Sequence, residues 1–126
     1  MIKGIGIDLI ETARVSEKIA KDSGFMEYVF SSNEIDYCES KTNKSEHYAA
    51  RFAAKEALLK ALGTGFPGGL TLNEIDITSD ESGKPEFQFH GESALAIKNF
   101  NVGNIHLTLS HLKEIACAMV VIESNI

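Results

Sequence analysis

Several features that mark particular protein classes are rare or missing in this sequence. Its 126 residues include no tryptophan, two prolines and two cysteines. Cys38 and Cys117 stand far apart, and neither belongs to a CxxC pair or a Cys/His cluster. This spacing argues against a disulfide framework and against a zinc site, and it fits a reducing compartment.

Long apolar runs and an excess of basic charge are also lacking. No stretch approaches the ~18 apolar residues of a membrane span, and Asp8 interrupts the start too early for a secretory signal. The formal charge of −6 disfavours general binding to nucleic acid or to an anionic membrane, because both need a basic surface. We therefore expect a cytoplasmic protein with neither of these partners.

What is present is typical of a globular protein. Hydrophobic residues make up 44% of the chain and charged residues 24%, which are ordinary proportions. The chain has no internal repeat, low-complexity tract or Pro/Ser-rich linker, and its length suits one hydrophobic core. We therefore expect residues 1–126 to form a single domain.

The first segment predicts a strand with two unlike faces. Over residues 2–10, one face carries Ile5, Ile7 and Leu9, and the other carries Gly4, Gly6 and Asp8. The glycines could leave room for a ligand beside Asp8. Alternatively, a helix packs closely on them and Asp8 is a satisfied carboxylate at the strand end. Spacing alone slightly favours the second interpretation.

The rest of the chain predicts an α+β fold with helices packed on a mainly antiparallel sheet, in the order β-α-α-α-β-β-α-β-β. Ser31 and Glu34 have capping-box spacing, Gly63 suits a helix C-terminus, and Gly83 suits a hairpin turn. Helices are predicted at residues 11–23, 31–40 and 92–100, with a short helix possible at 25–30, and a further helix, capped by Asn43 or Ser45, runs to Leu62. The other predicted strands cover residues 70–78, 85–90, 105–111 and 115–122.

The segment RFAAKEALLKALGTG at residues 51–65 places four charges on an otherwise apolar helix. At about 100° per residue, Arg51 and Lys55 form one stripe, and Glu56 and Lys60 form another on a different side. In a purely structural interpretation, Glu56 pairs with Lys60 while Arg51 and Lys55 extend outward to solvent. In the functional one, an anionic ligand with a metal ion satisfies all four.

Other candidate motifs are weaker. The segment from Gly63 to Gly69 follows a helix C-terminus and lacks the GxxxxGK[ST] pattern, so it predicts a cap and connector rather than a phosphate loop. A lone His111 at a strand end is usually structural, although Thr108 and Ser110 could form a polar pocket with it. An exposed basic stripe at Arg14 and Lys18 is usually solvated surface.

Four stretches together resemble one family. They are GIGIDLIE at residues 4–11, RFAAKEALLKALGTG at 51–65, DESGKP at 80–85 and HLTLSH at 106–111. On these motifs, the chain resembles the bacterial holo-acyl-carrier-protein synthases, the short trimeric class of the 4′-phosphopantetheinyl transferases. The resemblance runs in order along the whole chain.

The resemblance implies transfer of 4′-phosphopantetheine from coenzyme A to a serine of apo acyl carrier protein, in support of fatty acid biosynthesis. Adenosine 3′,5′-bisphosphate is the other product. Asp8 and Glu56 match metal-binding carboxylates that would hold Mg²⁺ on the pyrophosphate, and Lys60 would stabilise the leaving group. The serine proton could pass to Glu56 through a water molecule or to a metal-bound water.

The resemblance also implies how the substrates bind. Arg51 matches a position that would grip the 3′-phosphate of coenzyme A. Arg14 matches a contact to the acidic carrier protein, and the same face carries Lys18 and Lys21. Lys60 also matches a coenzyme-binding position. The remaining positions matched to coenzyme binding are Gly83, Lys84, Pro85, Thr108 and His111.

The family forms homotrimers with an active site at each subunit interface, so Asp8 and Glu56 would work beside the GKP turn of another subunit. The chain departs from related sequences near Gly24, where further arginines are common. The sequence is also compatible with two alternatives: a metal-dependent phosphohydrolase that uses water as the nucleophile, and a non-catalytic module that binds coenzyme A or an acidic partner.

Overall fold

The computed structural model describes residues 1–63 and 69–125 and contains five strands and five α-helices within them. In chain order these are β1 (Ile2–Glu11), α1 (Thr12–Ala20), α2 (Phe25–Val29), α3 (Ser32–Glu39), α4 (Lys44–Leu62), β2 (Ile75–Ser79), β3 (Pro85–Phe89), α5 (Gly91–Lys98), β4 (Val102–His111) and β5 (Ile115–Ser124), with a 3-10 turn at Leu72–Glu74 before β2. None of these helices combines the length and apolar composition needed to cross a bilayer.

The predicted fold class is confirmed, and the structure differs from the prediction by one additional helix and by shifted element boundaries. Four helices precede β2, one more than the predicted order contains, because residues 25–29 form a helix of their own. Helix α1 ends at Ala20 rather than at residue 23, since Asp22 and Gly24 both adopt positive φ angles. Helix α4 ends as predicted, with Gly63 left-handed at φ 79°. The rest of the predicted connector, residues 64–68, lies outside the described residues.

The predicted strand 70–78 is wrong over its first half. Leu72–Glu74 form a 3-10 turn, and β2 begins only at Ile75. Tertiary contacts hold this turn: the carbonyl of Leu72 accepts a hydrogen bond from Lys55, and the carboxylate of Glu74 accepts two from Ser93. These contacts outweigh the strand preference of the local sequence.

The strands form two antiparallel sheets. One has three strands in the order β1-β5-β4, and the other is the β2-β3 hairpin. In the larger sheet, Gly6 pairs with Val120 and Asp8 with Ala118, so these residues share the face that packs against α4. The opposite face exposes apolar side chains: Ile5 is 64% exposed, Ile7 59% and Leu9 66%.

The glycines of β1 bring the strand into direct contact with α4. A Cβ atom on Gly6 would fall on the carbonyl oxygen of Ala57, and one on Gly4 would fall on that of Ala61. Both alanines are themselves small and buried. The glycine face therefore serves helix packing, as the structural interpretation of this strand expects.

A buried ion pair fixes the other side of α4. Lys55 is 0% exposed and donates hydrogen bonds to the carboxylate of Glu34 at 2.6 Å, the carbonyl of Val29 at 2.6 Å and that of Leu72 at 2.8 Å. Glu34 also completes the predicted capping box with Ser31. The expectation that Lys55 reaches solvent is wrong, because its ammonium group has three acceptors inside the protein.

We expect Lys55→Met to lower the free energy of unfolding by about 3–5 kcal/mol, because the carboxylate of Glu34 would stay buried without its cation. Urea denaturation measures this loss. The control, Lys44→Met, breaks the exposed pair with Glu39 and should cost less than about 1 kcal/mol. Equal losses in the two variants would show that the buried pair does not hold this region together.

Candidate active site

Asp8 and Lys60 form one corner of the site. The Nζ of Lys60 lies 3.1 Å from a carboxylate oxygen of Asp8 and donates to the carbonyl of Ile7 at 2.9 Å. The Asp8 side chain is 16% exposed, whereas that of Lys60 is 56% exposed. The tight packing of β1 on α4 thus places a carboxylate of the strand beside a cation of the helix.

Glu56 lies one turn before Lys60 on α4 and is only partly buried. Burial raises the pKa of Glu56, and the negative charge of Asp8 raises it further, while Lys60 and Lys18 lower it. Asp8 therefore contributes to the electrostatic environment of Glu56. Lys60 pairs with Asp8 rather than with Glu56, which argues against the salt bridge of the purely structural interpretation.

This donor set fits a magnesium ion. Mg²⁺ in proteins is often held by one or two carboxylates, with waters and substrate phosphates completing its shell. Asp8 and Glu56 offer such a pair, and a bound cation would oppose the effects of burial and of the Asp8 charge, which raise the pKa of Glu56. Within residues 1–63 and 69–125, no cluster of three or more His, Cys, Asp or Glu side chains is placed to hold a metal.

A second site is a polar cavity of about 250 Å³ at the far side of α4. Arg51 lines it, is 7% exposed, and stacks its guanidinium 4.3 Å from the ring centre of Tyr37. The Nε of Arg51 has no hydrogen-bond partner among the described residues. The other lining residues are His47, Ala50, Ile77, Ser79, Gly83, Pro85, Thr108, Leu109 and His111.

Five predicted coenzyme-binding residues meet in this cavity, namely Arg51, Gly83, Pro85, Thr108 and His111. Lys84 is exposed in the adjoining turn and does not line the cavity. Lys60, also predicted to contact the coenzyme, lies at the Asp8 site instead. The sequence-based interpretation that one ligand satisfies all the charges of α4 therefore fails within one chain.

The β2-β3 turn is built around Asp80. Its carboxylate accepts hydrogen bonds from the backbone NH groups of Ser82 and Lys84, both at 2.9 Å, and from the Ser82 hydroxyl at 2.7 Å. The hydrogen bond from the Ser82 hydroxyl is the main cause of the lowered pKa of Asp80. Gly83 has φ 88°, which other residues rarely adopt. The turn thus presents Gly83 and Pro85 to the cavity in a defined shape.

The two sites lie at opposite edges of the three-stranded sheet. Asp8 belongs to the edge strand β1, whereas Thr108 and His111 belong to β4, with β5 between them. Two strand spacings correspond to roughly 10 Å. Arg51 and Glu56 differ by about 140° around the axis of α4. A single chain therefore keeps its carboxylates and its polar cavity apart.

The predicted docking residues are on an exposed helix face. Arg14, Lys18 and Lys21 are all exposed, while Val15 of the same helix is buried. Lys18 lies 5.6 Å from the ring centre of Phe25 and lowers the pKa of Glu56. The basic face of α1 therefore borders the carboxylate site.

Sequence reasoning missed Tyr37, His47 and Asp80. His47 and Arg51 are four residues apart on α4, so helical spacing could have placed them on one side. The stacking of Tyr37 on Arg51 joins α3 to α4, and no local pattern announces it. Asp80 stands three residues before Gly83, a spacing typical of side-chain-stabilised turns.

A larger cavity, about 500 Å³, lies elsewhere and includes Ser31, Asp76 and His90. Asp76 accepts a hydrogen bond from the Ser31 hydroxyl at 2.7 Å, and its other oxygen lies 3.5 Å from His90. The Ser31 hydroxyl therefore donates its hydrogen bond to the carboxylate of Asp76 and not to the imidazole of His90. This order does not provide the serine–histidine contact of a hydrolytic triad.

Comparison with known proteins agrees with these observations. A family model described as the 4′-phosphopantetheinyl transferase superfamily matches residues 4–120. The holo-[acyl-carrier-protein] synthase of Cytophaga hutchinsonii is 48% identical over 127 residues, covering 99% of this chain and 100% of that protein.

Two solved structures are also similar. The holo-[acyl-carrier-protein] synthase of Neisseria meningitidis superposes with a TM-score of 0.90 at 30% identity, covering 98% of this chain and 100% of the other. The Bacillus anthracis synthase, crystallised with CoA (3′,5′-ADP), has a TM-score of 0.80 at 37% identity and 98% coverage of both chains. The resemblance inferred from four sequence motifs is thereby confirmed: this chain belongs to the 4′-phosphopantetheinyl transferase superfamily.

Proposed function

We propose that this protein transfers the 4′-phosphopantetheinyl group of coenzyme A to a serine hydroxyl of apo acyl carrier protein. The observation that carries the proposal is the convergence of Asp8 and Glu56 beside Lys60, in a chain similar over nearly its full length to holo-[acyl-carrier-protein] synthases. A related synthase was crystallised with coenzyme A, which supports the choice of donor. The acceptor follows from the names of the relatives.

The reaction exchanges one phosphorus–oxygen bond for another. The serine oxygen attacks the β-phosphorus of the coenzyme, the bond from that phosphorus to the bridging oxygen breaks, and adenosine 3′,5′-bisphosphate leaves with the bridging oxygen. We assign to Lys60 the neutralisation of charge that develops on the leaving phosphate, because its side chain is 56% exposed and its ammonium group lies beside Asp8. We assign the serine proton to Glu56, acting through a water molecule.

Asp8 and Glu56 would hold Mg²⁺, which neutralises pyrophosphate oxygens when bound. Without a cation the two carboxylates would repel a phosphate that approaches them, and Lys60 offers only one positive charge against two negative ones. The chain's own residues therefore position the ion, while Lys60 contacts the phosphate. Their separation in sequence but proximity in the fold supports this division of roles.

We further infer that the active site forms between subunits. The carboxylates and the polar cavity lie at opposite edges of one sheet, an arrangement that suits a coenzyme bound where the edges of two chains meet. The exposed apolar face at Ile5, Ile7 and Leu9 supplies a surface for such assembly, since exposed apolar patches of this kind usually mark interfaces. The proposed assembly is a homotrimer.

The exposed basic face of α1 would receive the acidic carrier protein. Arg14, Lys18 and Lys21 point to solvent, and Lys18 also influences Glu56. A carrier docked on this face would bring its serine toward the carboxylate site. Free Cys38 and Cys117 agree with a location in the reducing cytoplasm, where we place the reaction.

Transfer is tested by mixing the protein with Mg²⁺, coenzyme A and apo acyl carrier protein and weighing the carrier by mass spectrometry. We expect the mass to rise by one phosphopantetheinyl group. Glu56→Gln should reduce turnover at least about 100-fold with the fold retained, because it removes a metal ligand and a proton acceptor. An unchanged carrier mass with folded protein, or release of adenosine bisphosphate without carrier, would contradict transferase activity.

The shared site is tested by mixing two inactive variants. Glu56→Gln damages the carboxylate site and Arg51→Ala damages the cavity, so a mixed assembly should regain up to about a quarter of wild-type activity where intact halves meet. The mixture is unfolded, refolded together and assayed beside each variant refolded alone. The mixed assemblies are verified by their mass. If they regain no activity, the carboxylate site and the cavity of each active site belong to one chain.

Carrier docking is tested by Arg14→Glu. We expect KM for the carrier protein to rise about tenfold in low salt and less at high salt, because surface charges are screened. The affinity for coenzyme A should not change. Lys98→Glu, a matched reversal on exposed α5, should leave both constants unchanged. Equal losses for carrier and coenzyme in Arg14→Glu would contradict docking on α1.

A further inference from the structure

The polar cavity contains a histidine that the proposed reaction does not use. His47 lines the cavity on α4, with its ring 5.6 Å from that of Tyr37 and 5.7 Å from that of His111. Arg51 follows one helical turn later and lines the same cavity. His47 therefore lies within reach of any group that Arg51 binds.

The size and charge of the cavity suit a single phosphate group. Its volume of about 250 Å³ is smaller than the ~300–1,000 Å³ of pockets that enclose a whole drug-sized ligand. Arg51 is almost fully buried there with its Nε unpaired among the described residues, which suits an anion. Glu46, the nearby carboxylate, is engaged by the Nδ1 of His111 at 3.0 Å.

The groups around His47 disfavour its imidazolium form when the cavity holds no anion. Burial chiefly lowers the pKa of His47, and the charges of Arg51, His111 and Lys41 lower it further, whereas Glu46 opposes them. Arg51 and Glu46 belong to its own helix, Tyr37 and Lys41 approach from α3 and the segment after it, and His111 from β4. The β2-β3 turn adds Ser79, Gly83 and Pro85 to the cavity lining, and none of these is charged.

A phosphate monoester would reverse this balance. Such a group carries close to two negative charges at pH 7, because its second pKa is near 6. Placed between Arg51 and His47, it would favour the imidazolium form, and binding would take up a proton. The affinity gained from His47 should therefore grow as the pH falls from about 8 toward about 6.5, where most of the phosphate still carries its second negative charge.

Building on the proposed function, we propose that His47 is a specificity-determining residue. As an imidazolium it supplies a second cation, beside Arg51, for the 3′-phosphate of coenzyme A, so that the enzyme prefers coenzyme A over dephospho-coenzyme A more strongly at lower pH. The dephospho compound lacks the phosphate that His47 would contact. Its binding should therefore not depend on this residue.

The test is isothermal titration calorimetry with coenzyme A and dephospho-coenzyme A at pH 8.0 and pH 6.5. In the wild-type protein, the preference for coenzyme A should increase about fivefold over this range. In His47→Phe, which keeps an aromatic ring against Tyr37 and His111, the change should stay within about twofold. Repeating the titration in two buffers of different ionisation heat measures the protons taken up, which should be fewer in the variant.

Two further variants separate charge from folding. His47→Gln keeps a polar side chain without the cation and should behave like His47→Phe. His90→Phe removes a histidine from the other cavity and should behave like the wild type. Thermal unfolding of each variant shows that the comparison uses folded protein. Because every variant keeps His111 and binds the same phosphate, the difference from wild type reports His47 alone.

The outcomes distinguish this inference from the proposed function. Binding of coenzyme A with the same pH dependence and proton uptake in wild type and His47→Phe would overturn the role of His47 and leave the transferase proposal intact. Failure of folded protein to bind coenzyme A at either pH would overturn both.

Discussion

The contact between β1 and α4 is the constraint on which the site depends. Gly4 and Gly6 let the helix backbone approach so closely that a Cβ at either position would collide with a carbonyl oxygen of Ala61 or Ala57. Overpacking of this kind typically costs about 1–3 kcal/mol. The same strand face carries Asp8 two residues further on, and the close approach is what places its carboxylate against Lys60.

Helix α4 performs different tasks on its different sides. The buried pair of Lys55 and Glu34 ties the helix to the start of α3 and to the turn before β2. Glu56 and Lys60 face β1, and Arg51 faces the polar cavity. Because one rigid helix carries all of these charges, the packing that stabilises the fold also sets the positions of both sites.

The separation of the two sites suggests why one face of the three-stranded sheet exposes apolar side chains in the single chain. A strand that buries its glycines and exposes Ile5, Ile7 and Leu9 reverses the usual arrangement of a two-layer protein. Assembly with further copies would cover those side chains and could bring the carboxylates of one chain to the cavity of another. The energetic need to bury the apolar face and the chemical need to complete the site would then be met by one assembly.

The sequence by itself determined the fold class, most elements and the family. Capping chemistry at Ser31 and Glu34, the stop at Gly63 and the alternation of β1 are local effects, so they can be read along the chain. The family motifs also named Asp8, Glu56, Lys60 and Arg51 as the residues of interest, whose roles remain predictions.

Only the tertiary structure decided where those side chains go. Lys55 is buried against Glu34, Lys60 pairs with Asp8 rather than with Glu56, and Tyr37 stacks on Arg51. Leu72–Glu74 turn away from a strand because Lys55 and Ser93 bind them. Each of these outcomes joins residues distant in sequence, and competition among such partners is settled by packing rather than by local pattern.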